Sequence, residues 1–103
     1  MYLHSRDINS SENLGLRKEA GRWLAELRQH AGLSQRDLAA KTGTDFYTFI
    51  SQIENGRGRI PPNKYEVWAI ALNVNPRMFV QKLLSYYDPI TYHILFADFD
   101  AEK

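Results

Sequence analysis

The sequence predicts an all-α fold, a compact domain of five short helices followed by a short C-terminal extension. Apolar residues recur at the 3.6-residue spacing of helices in several successive short segments. Glycine, proline and asparagine stand between these segments, where helices end and new ones begin. The chain has 103 residues, of which 44% are hydrophobic. This length and content fit one domain with one core.

The first two helices are predicted from periodicity and from end signals. Residues 1–13 are polar and lack periodicity, and we expect a flexible N-terminal segment there. A helix with one apolar face starts near Leu16. Ser34 and Asp37 have the spacing of a capping box and predict the start of the second helix. Gly43 ends that helix, because glycine takes a positive φ without a Cβ penalty.

The third predicted helix covers residues 45–55, with Thr44 and Asp45 as candidate N-caps. Its inner face is expected to be apolar and to consist of Phe46, Phe49, Ile50 and Ile53. At 100° per residue the opposite face is polar. That outer face consists of Thr48, Ser51, Gln52 and Asn55.

Proline and asparagine signals predict the remaining helices. A fourth helix begins near Pro62, and Asn75 caps a fifth. Residues 90–96 are apolar, and periodicity leaves both a helix and a strand open for them. We therefore predict a domain over residues 14–86 and a C-terminal extension over residues 87–103. That extension ends in an acidic tail, and its apolar part either covers the core or forms a dimer surface.

Charge and composition exclude several classes of protein. The net charge is only +1, but residues 17–64 carry nine Lys and Arg against five Asp and Glu, a local charge of +4. Residues 83–103 carry one Lys against four acids, a local charge of −3. The chain has no cysteine and only three scattered histidines, so we expect no disulfide, metal site or other cofactor. No apolar run is long enough for a membrane helix or a signal peptide, which predicts a cytoplasmic protein.

Residues 34–56, SQRDLAAKTGTDFYTFISQIENG, contain two short helices that meet at a glycine turn. This arrangement is typical of a helix-turn-helix, whose second helix fits the major groove of DNA. The chain resembles the Cro/CI/Xre group of lambda-repressor-like domains over residues 20–84. The matching residues are Arg28, Gly32-Leu33-Ser34-Gln35, Leu38-Ala39, Gly43, Ile50, Glu54-Asn55-Gly56 and Ala71-Leu72-Asn73-Val74.

The resemblance implies a role for each matching position. The residues that would face bases are Tyr47, Thr48, Ser51 and Gln52. The residues that would contact phosphates are Gln35, Lys41, Asn55, Arg57, Arg59 and Lys64. Arg28 and Glu54 correspond to the family's buried ion pair. Glutamine, threonine and serine can hydrogen-bond to base edges, whereas arginine and lysine neutralise phosphates.

One departure from the family pattern lies between the two helices. The distance from Gly43 to Ile50 is one residue longer than in most members. Two explanations remain open at this point: either the turn is longer, or the third helix starts at a different place.

We therefore expect a homodimeric transcriptional regulator, a repressor, that binds a palindromic site on double-stranded DNA. Because the net charge is small, non-specific binding should be modest. The alternative is an antitoxin-like or other interaction module that binds a partner protein through its apolar C-terminal segment. No catalytic residue order or phosphate-binding glycine loop is present, so we do not expect an enzyme.

Overall fold

The computed structural model describes the backbone of residues 2–97 and the side chains of residues 14–97, and in this part every regular element is helical. The six helices are α1 (Tyr2–His30), α2 (Gln35–Thr42), α3 (Tyr47–Glu54), α4 (Tyr65–Ala71), α5 (Pro76–Tyr87) and α6 (Pro89–Phe96). A 3-10 helix, Pro62–Lys64, precedes α4. The predicted all-α fold is confirmed. None of these helices is both long and apolar enough to cross a membrane.

Helix α1 is longer than the sequence pattern predicts. It begins at Tyr2, so the predicted helix start near Leu16 is wrong. Residues 2–13 contain neither proline nor glycine, the two residue types that most disfavour a helix. Nothing in this segment therefore stops the helix. The flexibility expected for residues 1–13 is a separate property and stays a prediction.

Helices α1 and α3 approach each other closely at two glycines. A Cβ atom at Gly21 would collide with the backbone carbonyl oxygen of Glu54. A Cβ atom at Gly56 would lie 2.9 Å from the backbone nitrogen of Lys18. Larger side chains at these positions would push the two helices apart. The glycines therefore let α3 pack directly against α1.

One hydrophobic core contains buried residues from all five helices α1, α2, α3, α4 and α5. Trp68 of α4 and Phe79 of α5 are its largest fully buried side chains. Trp23 of α1 is half-buried and stacks on Phe79 with 5.4 Å between ring centroids. The other buried apolar residues are Ala20, Leu24, Leu38, Ala39, Ile50, Ile53, Ile60, Ala69, Leu72, Leu83 and Tyr87. Because α2 and α3 both bury residues here, the core fixes the angle between them.

The predicted caps of α2 and α5 are confirmed. The Asp37 amide donates to Ser34 Oγ at 3.0 Å, and the Ser34 amide donates to Asp37 Oδ2 at 2.9 Å. Hydrogen bonding by the backbone and the side chain of Ser34 holds the pKa of the Asp37 carboxyl below its ordinary value. At α5 the Met78 amide donates to Asn75 Oδ1 at 3.1 Å. Both helices therefore begin where their sequence signals stand.

Residues 90–96, for which the sequence left both a helix and a strand open, belong to helix α6. The Thr91 hydroxyl donates to Asp88 Oδ2 at 2.7 Å, and the Thr91 amide donates to Asp88 Oδ1 at 3.1 Å. The two bonds from Thr91 lower the pKa of Asp88. No residue of α6 is buried, although most of its side chains are apolar. The acidic tail, residues 98–103, lies outside the described residues.

Candidate nucleic-acid interface

A four-residue turn, 43–46, connects α2 to α3. Gly43 adopts the left-handed conformation with φ 66°, and the Thr44 amide donates to Ala39 O at 2.9 Å. Lys64 Nζ donates to Thr42 O at 2.9 Å and so satisfies a carbonyl at the C-terminus of α2. A backbone hydrogen bond to α2 and a side-chain hydrogen bond from Lys64 in the 3-10 helix thus hold the start of the turn in place.

The recognition-type helix α3 begins two residues later than the sequence predicts. Its N-cap is Phe46, which makes no side-chain capping bond, so the predicted caps Thr44 and Asp45 are wrong. The hydroxyl of Thr44 is instead hydrogen-bonded to that of Thr42, at 2.8 Å. In this chain a later start of α3 and a longer turn are the same change, because residues 45 and 46 belong to the turn and not to the helix.

A hydrogen-bonded ion pair anchors the far end of α3. Arg28 Nε donates to Glu54 Oε2 at 2.7 Å, and Arg28 Nη2 donates to Glu54 Oε1 at 3.1 Å. Gln35 Nε2 donates to the same Oε1 at 3.0 Å, and Arg28 Nη1 donates to Leu33 O at 2.8 Å. The network therefore ties α1, α2 and α3 together. Its side chains are mostly buried, with 12% of Arg28 and 8% of Glu54 exposed.

The four predicted base-facing residues lie on one surface of α3. Thr48 and Gln52 are exposed, and Ser51 is half-buried. Tyr47 is 41% exposed, and the guanidinium of Arg36 lies 4.5 Å from its ring centroid. The polar centre of this surface is thus formed by Thr48 and Gln52, with Tyr47 and Ser51 on the side of α2. Their short polar and amide groups can form hydrogen bonds with base edges.

The predicted inner face of α3 is only half correct. Ile50 and Ile53 are buried, but Phe46 is 63% exposed and Phe49 is 46% exposed. The prediction assumed that α3 starts at residue 45. Because α3 starts at Tyr47, Phe46 precedes its first turn, and Phe49 lies at the border between the inner and outer faces. The assignment of these two phenylalanines to the core is therefore wrong.

The predicted phosphate-contacting residues fall into two groups. Lys41 and Arg57 are exposed, and the Asn55 side chain accepts a bond from the Arg57 amide at 3.1 Å, which leaves its own NH₂ free to donate. The Gln35 side chain donates one N–H to Glu54 and has a second N–H that can donate to a phosphate. These four residues carry donors that a phosphate can use.

Arg59 and Lys64 form the second group, since each has a partner within the protein. The Arg59 guanidinium lies 4.6 Å from the ring centroid of Tyr87, and Lys64 Nζ is bonded to the end of α2. The Ile60 amide also donates to Tyr87 Oη at 3.1 Å. The loop after α3 is therefore fastened to α5 through Arg59 and the Ile60 amide, whereas Lys64 joins the 3-10 helix to the end of α2.

Arg36 is a surface cation beside α3 that the sequence reasoning missed. It is exposed in the first turn of α2, and its guanidinium covers Tyr47. A cation near a helix N-terminus is unfavourable for the helix dipole. That local conflict is a signal in the sequence that points to a role outside α2.

The fold and this surface define a helix-turn-helix DNA-binding protein. The helix-turn-helix family model matches residues 24–79, more than half of the chain, and the chain belongs to that family in its Cro/CI/Xre-type branch. Members are DNA-binding transcription regulators, the class to which the fold and site assign this chain. No curated protein sequence matches the chain.

A solved structure resembles most of the chain. It is the crystal structure of a mutant of the restriction-modification controller protein C.Esp1396I. The two chains share 28% sequence identity with a TM-score of 0.56, and the match covers 81% of this chain and 95% of that one.

Proposed function

We propose that this protein is a repressor that binds a palindromic DNA site as a homodimer, with α3 in the major groove. The observation that carries the proposal is the two-sided character of α3. Its inner side is fixed by Ile50, Ile53 and the Glu54 ion pair, while Thr48 and Gln52 stand exposed on the other side. A rigidly held helix with an exposed polar surface can read base edges without rearrangement.

Each residue near α3 then has a proposed contact. Tyr47, Thr48, Ser51 and Gln52 face bases, and Gln52 is suited to a bidentate contact with adenine. The phosphate backbone of the DNA is contacted by Gln35, Lys41, Asn55 and Arg57, and also by Arg36, which is exposed beside Tyr47. Arg59 and Lys64 should contribute less to phosphate binding, because each already has a partner within the protein.

Paired substitutions test the DNA contacts. Gln52→Ala should reduce the preference for a selected duplex by about 1–3 kcal/mol, because it removes a base contact. Arg57→Ala should weaken binding to all duplexes and lower the slope of log affinity against log salt by about one. Both effects are measured by fluorescence anisotropy on a duplex selected in vitro from a random library.

Lys82→Ala is the matched control, because Lys82 is an exposed cation on α5 next to Tyr86. It should leave both the preference and the salt slope nearly unchanged. If Gln52→Ala and Arg57→Ala behave like this control, α3 is not the DNA-reading element.

The homodimer is proposed to form through α6. Ile90 is 73% exposed, Ile94 58% and Leu95 57%, and the helix buries no residue of its own. An exposed apolar cluster of this kind is typical of an interaction surface. Two copies joined there would present two α3 helices to a two-fold-symmetric site.

Sedimentation velocity tests this assembly. The wild-type chain should sediment as a dimer, and Ile94→Asp with Leu95→Ser should sediment as a folded monomer with much weaker binding to the palindrome. Ile70→Ser is the control, because Ile70 is 64% exposed on α4. The selected sequence itself is a second check, since a dimer predicts an inverted repeat.

The repressor role has its own test in a promoter reporter that carries the selected site. Expression of the protein should lower reporter output, and Gln52→Ala should restore it. The structural neighbour is itself a controller protein, which supports a regulatory role for this chain. A rise in output on expression would instead make the protein an activator.

A protein-interaction module is the second candidate, and the same exposed surface favours it. Between α1 and α5, a shallow apolar groove of about 330 Å³ is lined by Trp23, Met78 and Phe79, among others. A wild-type chain that remains monomeric at micromolar concentration, and whose α6 variants bind DNA normally, would favour a different protein as the occupant. A dimer that dissociates on α6 substitution would favour the first candidate.

A further inference from the structure

Two exposed phenylalanines form an aromatic pair at the start of α3. The rings of Phe46 and Phe49 have centroids 5.8 Å apart and meet edge to face at 81°. Phe46 is 63% exposed and Phe49 is 46% exposed, so neither ring is part of the core. We call these two residues the aromatic pair. Exposing two phenylalanines side by side is unfavourable unless a partner covers them.

The aromatic pair lies at the N-terminal end of α3. The N-terminal residues of a recognition helix are the ones that contact bases in the major groove. Phe49 is next to Thr48 and three residues before Gln52, so it borders the proposed base-facing surface. Together with Gln52 it lines a groove of about 360 Å³. Phe46 precedes the first turn of the helix.

The charges around the aromatic pair indicate the kind of partner. Arg59 and Lys64 lie on the groove that Phe49 lines, and exposed Arg36 lies over Tyr47, the residue that follows Phe46. The acid on that groove is Asp45, in the turn. This predominantly cationic setting suits a polyanion, and an apolar pair inside it suits an apolar group carried by that polyanion.

In the major groove, the apolar group of a base is the methyl group at C5 of thymine, and phenylalanine is one of the side chains that contact it. From this placement we infer that Phe46 and Phe49 bind the C5-methyl group of pyrimidines and contribute to sequence specificity. 5-Methylcytosine carries the same methyl group, so the aromatic pair should recognise it as well. The inference rests on the proposed function of α3 and names a chemical group that it reads.

Deoxyuridine provides the first arm of the test, because it differs from thymidine by this methyl group alone. The probes are a duplex selected from a random library and copies with single thymines replaced by uracil. At contacted positions we expect the wild-type protein to lose about fourfold in affinity per methyl group. Phe49→Ala or Phe46→Ala should bind the thymine and uracil duplexes equally at the position that its own ring contacts.

Cytosine methylation provides the second arm and separates the two sources of the methyl group. Cytosine and then 5-methylcytosine are placed at a contacted thymine position. The wild-type protein should bind the methylated duplex about fourfold more tightly than the unmethylated one, while the variant at that position should not distinguish them. If wild type distinguishes thymine from uracil but ignores cytosine methylation, recognition of 5-methylcytosine is overturned and recognition of thymine stands.

Ile70→Ala is the matched control, since Ile70 is a large apolar residue on α4 that is 64% exposed. It should retain the full discrimination between thymine and uracil, and thermal unfolding should show that both phenylalanine variants fold. Equal wild-type affinity for every uracil duplex would overturn the inference while leaving the proposed function intact. A methyl effect that both phenylalanine variants retain would also overturn it. Failure to select any duplex would overturn the proposed function and the inference together.

Discussion

Helices α3 and α6 have eight residues each, but the protein holds them in opposite ways. α3 has no side-chain cap, yet it buries Ile50 and Ile53 and is tied down by the Glu54 ion pair. α6 has a side-chain cap from Asp88 but buries nothing. Contacts with other helices therefore fix α3, whereas local bonds and packing on α5 hold α6. A helix that reads DNA needs to be held in place by contacts with other helices. A helix that binds a partner protein can be held by local bonds, because the partner covers its apolar side chains.

Removal of the ion pair that holds α3 should lower the free energy of unfolding more than any other substitution considered below. Glu54→Ala leaves Arg28 largely buried without its carboxylate, and we expect the free energy of unfolding to fall by about 3–5 kcal/mol. The loss should appear in urea denaturation followed by tryptophan fluorescence.

Glu54→Gln is the matched variant for this pair, because it retains an oxygen that can accept from Arg28 but removes the charge. It should cost less than Glu54→Ala. A loss of under about 1 kcal/mol in Glu54→Ala would mean that apolar packing, and not the ion pair, fixes α3.

The hydroxyl of Tyr87 should give the next largest effect, because it joins the loop after α3 to α5. The buried Ile60 amide donates to Tyr87 Oη at 3.1 Å. Tyr87→Phe leaves that amide without its partner, and we expect a loss of about 1–3 kcal/mol in urea denaturation at neutral pH. Tyr86→Phe, on the adjacent residue, is the control and should cost less.

Burial also raises the pKa of Tyr87, although the Ile60 amide and Arg59 oppose the change. Because folding favours the neutral phenol, its contribution is complete below the ordinary tyrosine pKa of 10.0 and is lost as the pH rises above it. The stability of wild type should therefore fall above pH 10, and Tyr87→Phe should show a smaller fall. An identical alkaline decline in both proteins would assign it to other groups.

Residue types and spacing predicted the parts of the fold that local chemistry determines. The capping box at Ser34, the cap at Asn75 and the left-handed Gly43 depend on neighbouring backbone atoms, so a single stretch of sequence specifies them. The pairing of Arg28 with Glu54, 26 residues apart, came instead from the family resemblance. The polar outer surface of α3 was also predicted correctly, because it follows from helical periodicity once Ile50 is inside.

The errors at Phe46 and Phe49, and two features that the sequence did not indicate, depend on tertiary structure. Periodicity alone assigned Phe46 and Phe49 to the core, because it cannot show at which residue the turn after α2 ends and α3 begins. The collision at Gly21 depends on how closely α1 approaches α3. The position of Arg36 over Tyr47 requires two helices in their final arrangement. In each case the missing information was a distance between segments that are separate in the sequence.

The smallest predicted effects come from the helix caps, and they test whether α6 unfolds on its own. Ser34→Ala should lower the global free energy of unfolding by about 1 kcal/mol, because α2 buries Leu38, Ala39 and Thr42 in the common core. Asp88→Ala removes a similar cap from a helix that buries nothing. It should therefore increase amide hydrogen exchange within α6 and leave the main unfolding transition almost unchanged.

Acid should reproduce the effect of Asp88→Ala in the wild-type protein. The pKa of Asp88 is lowered by its bonds from Thr91, so the cap is complete above the ordinary aspartate value of 3.8 and is lost as the pH falls through the lowered pKa. Amide exchange in α6, corrected for its intrinsic pH dependence, should rise in that range before the core opens. If Asp88→Ala instead shifts the main transition as much as Ser34→Ala does, α6 is part of the cooperative core, and its exposed apolar face belongs to the same folding unit as α3.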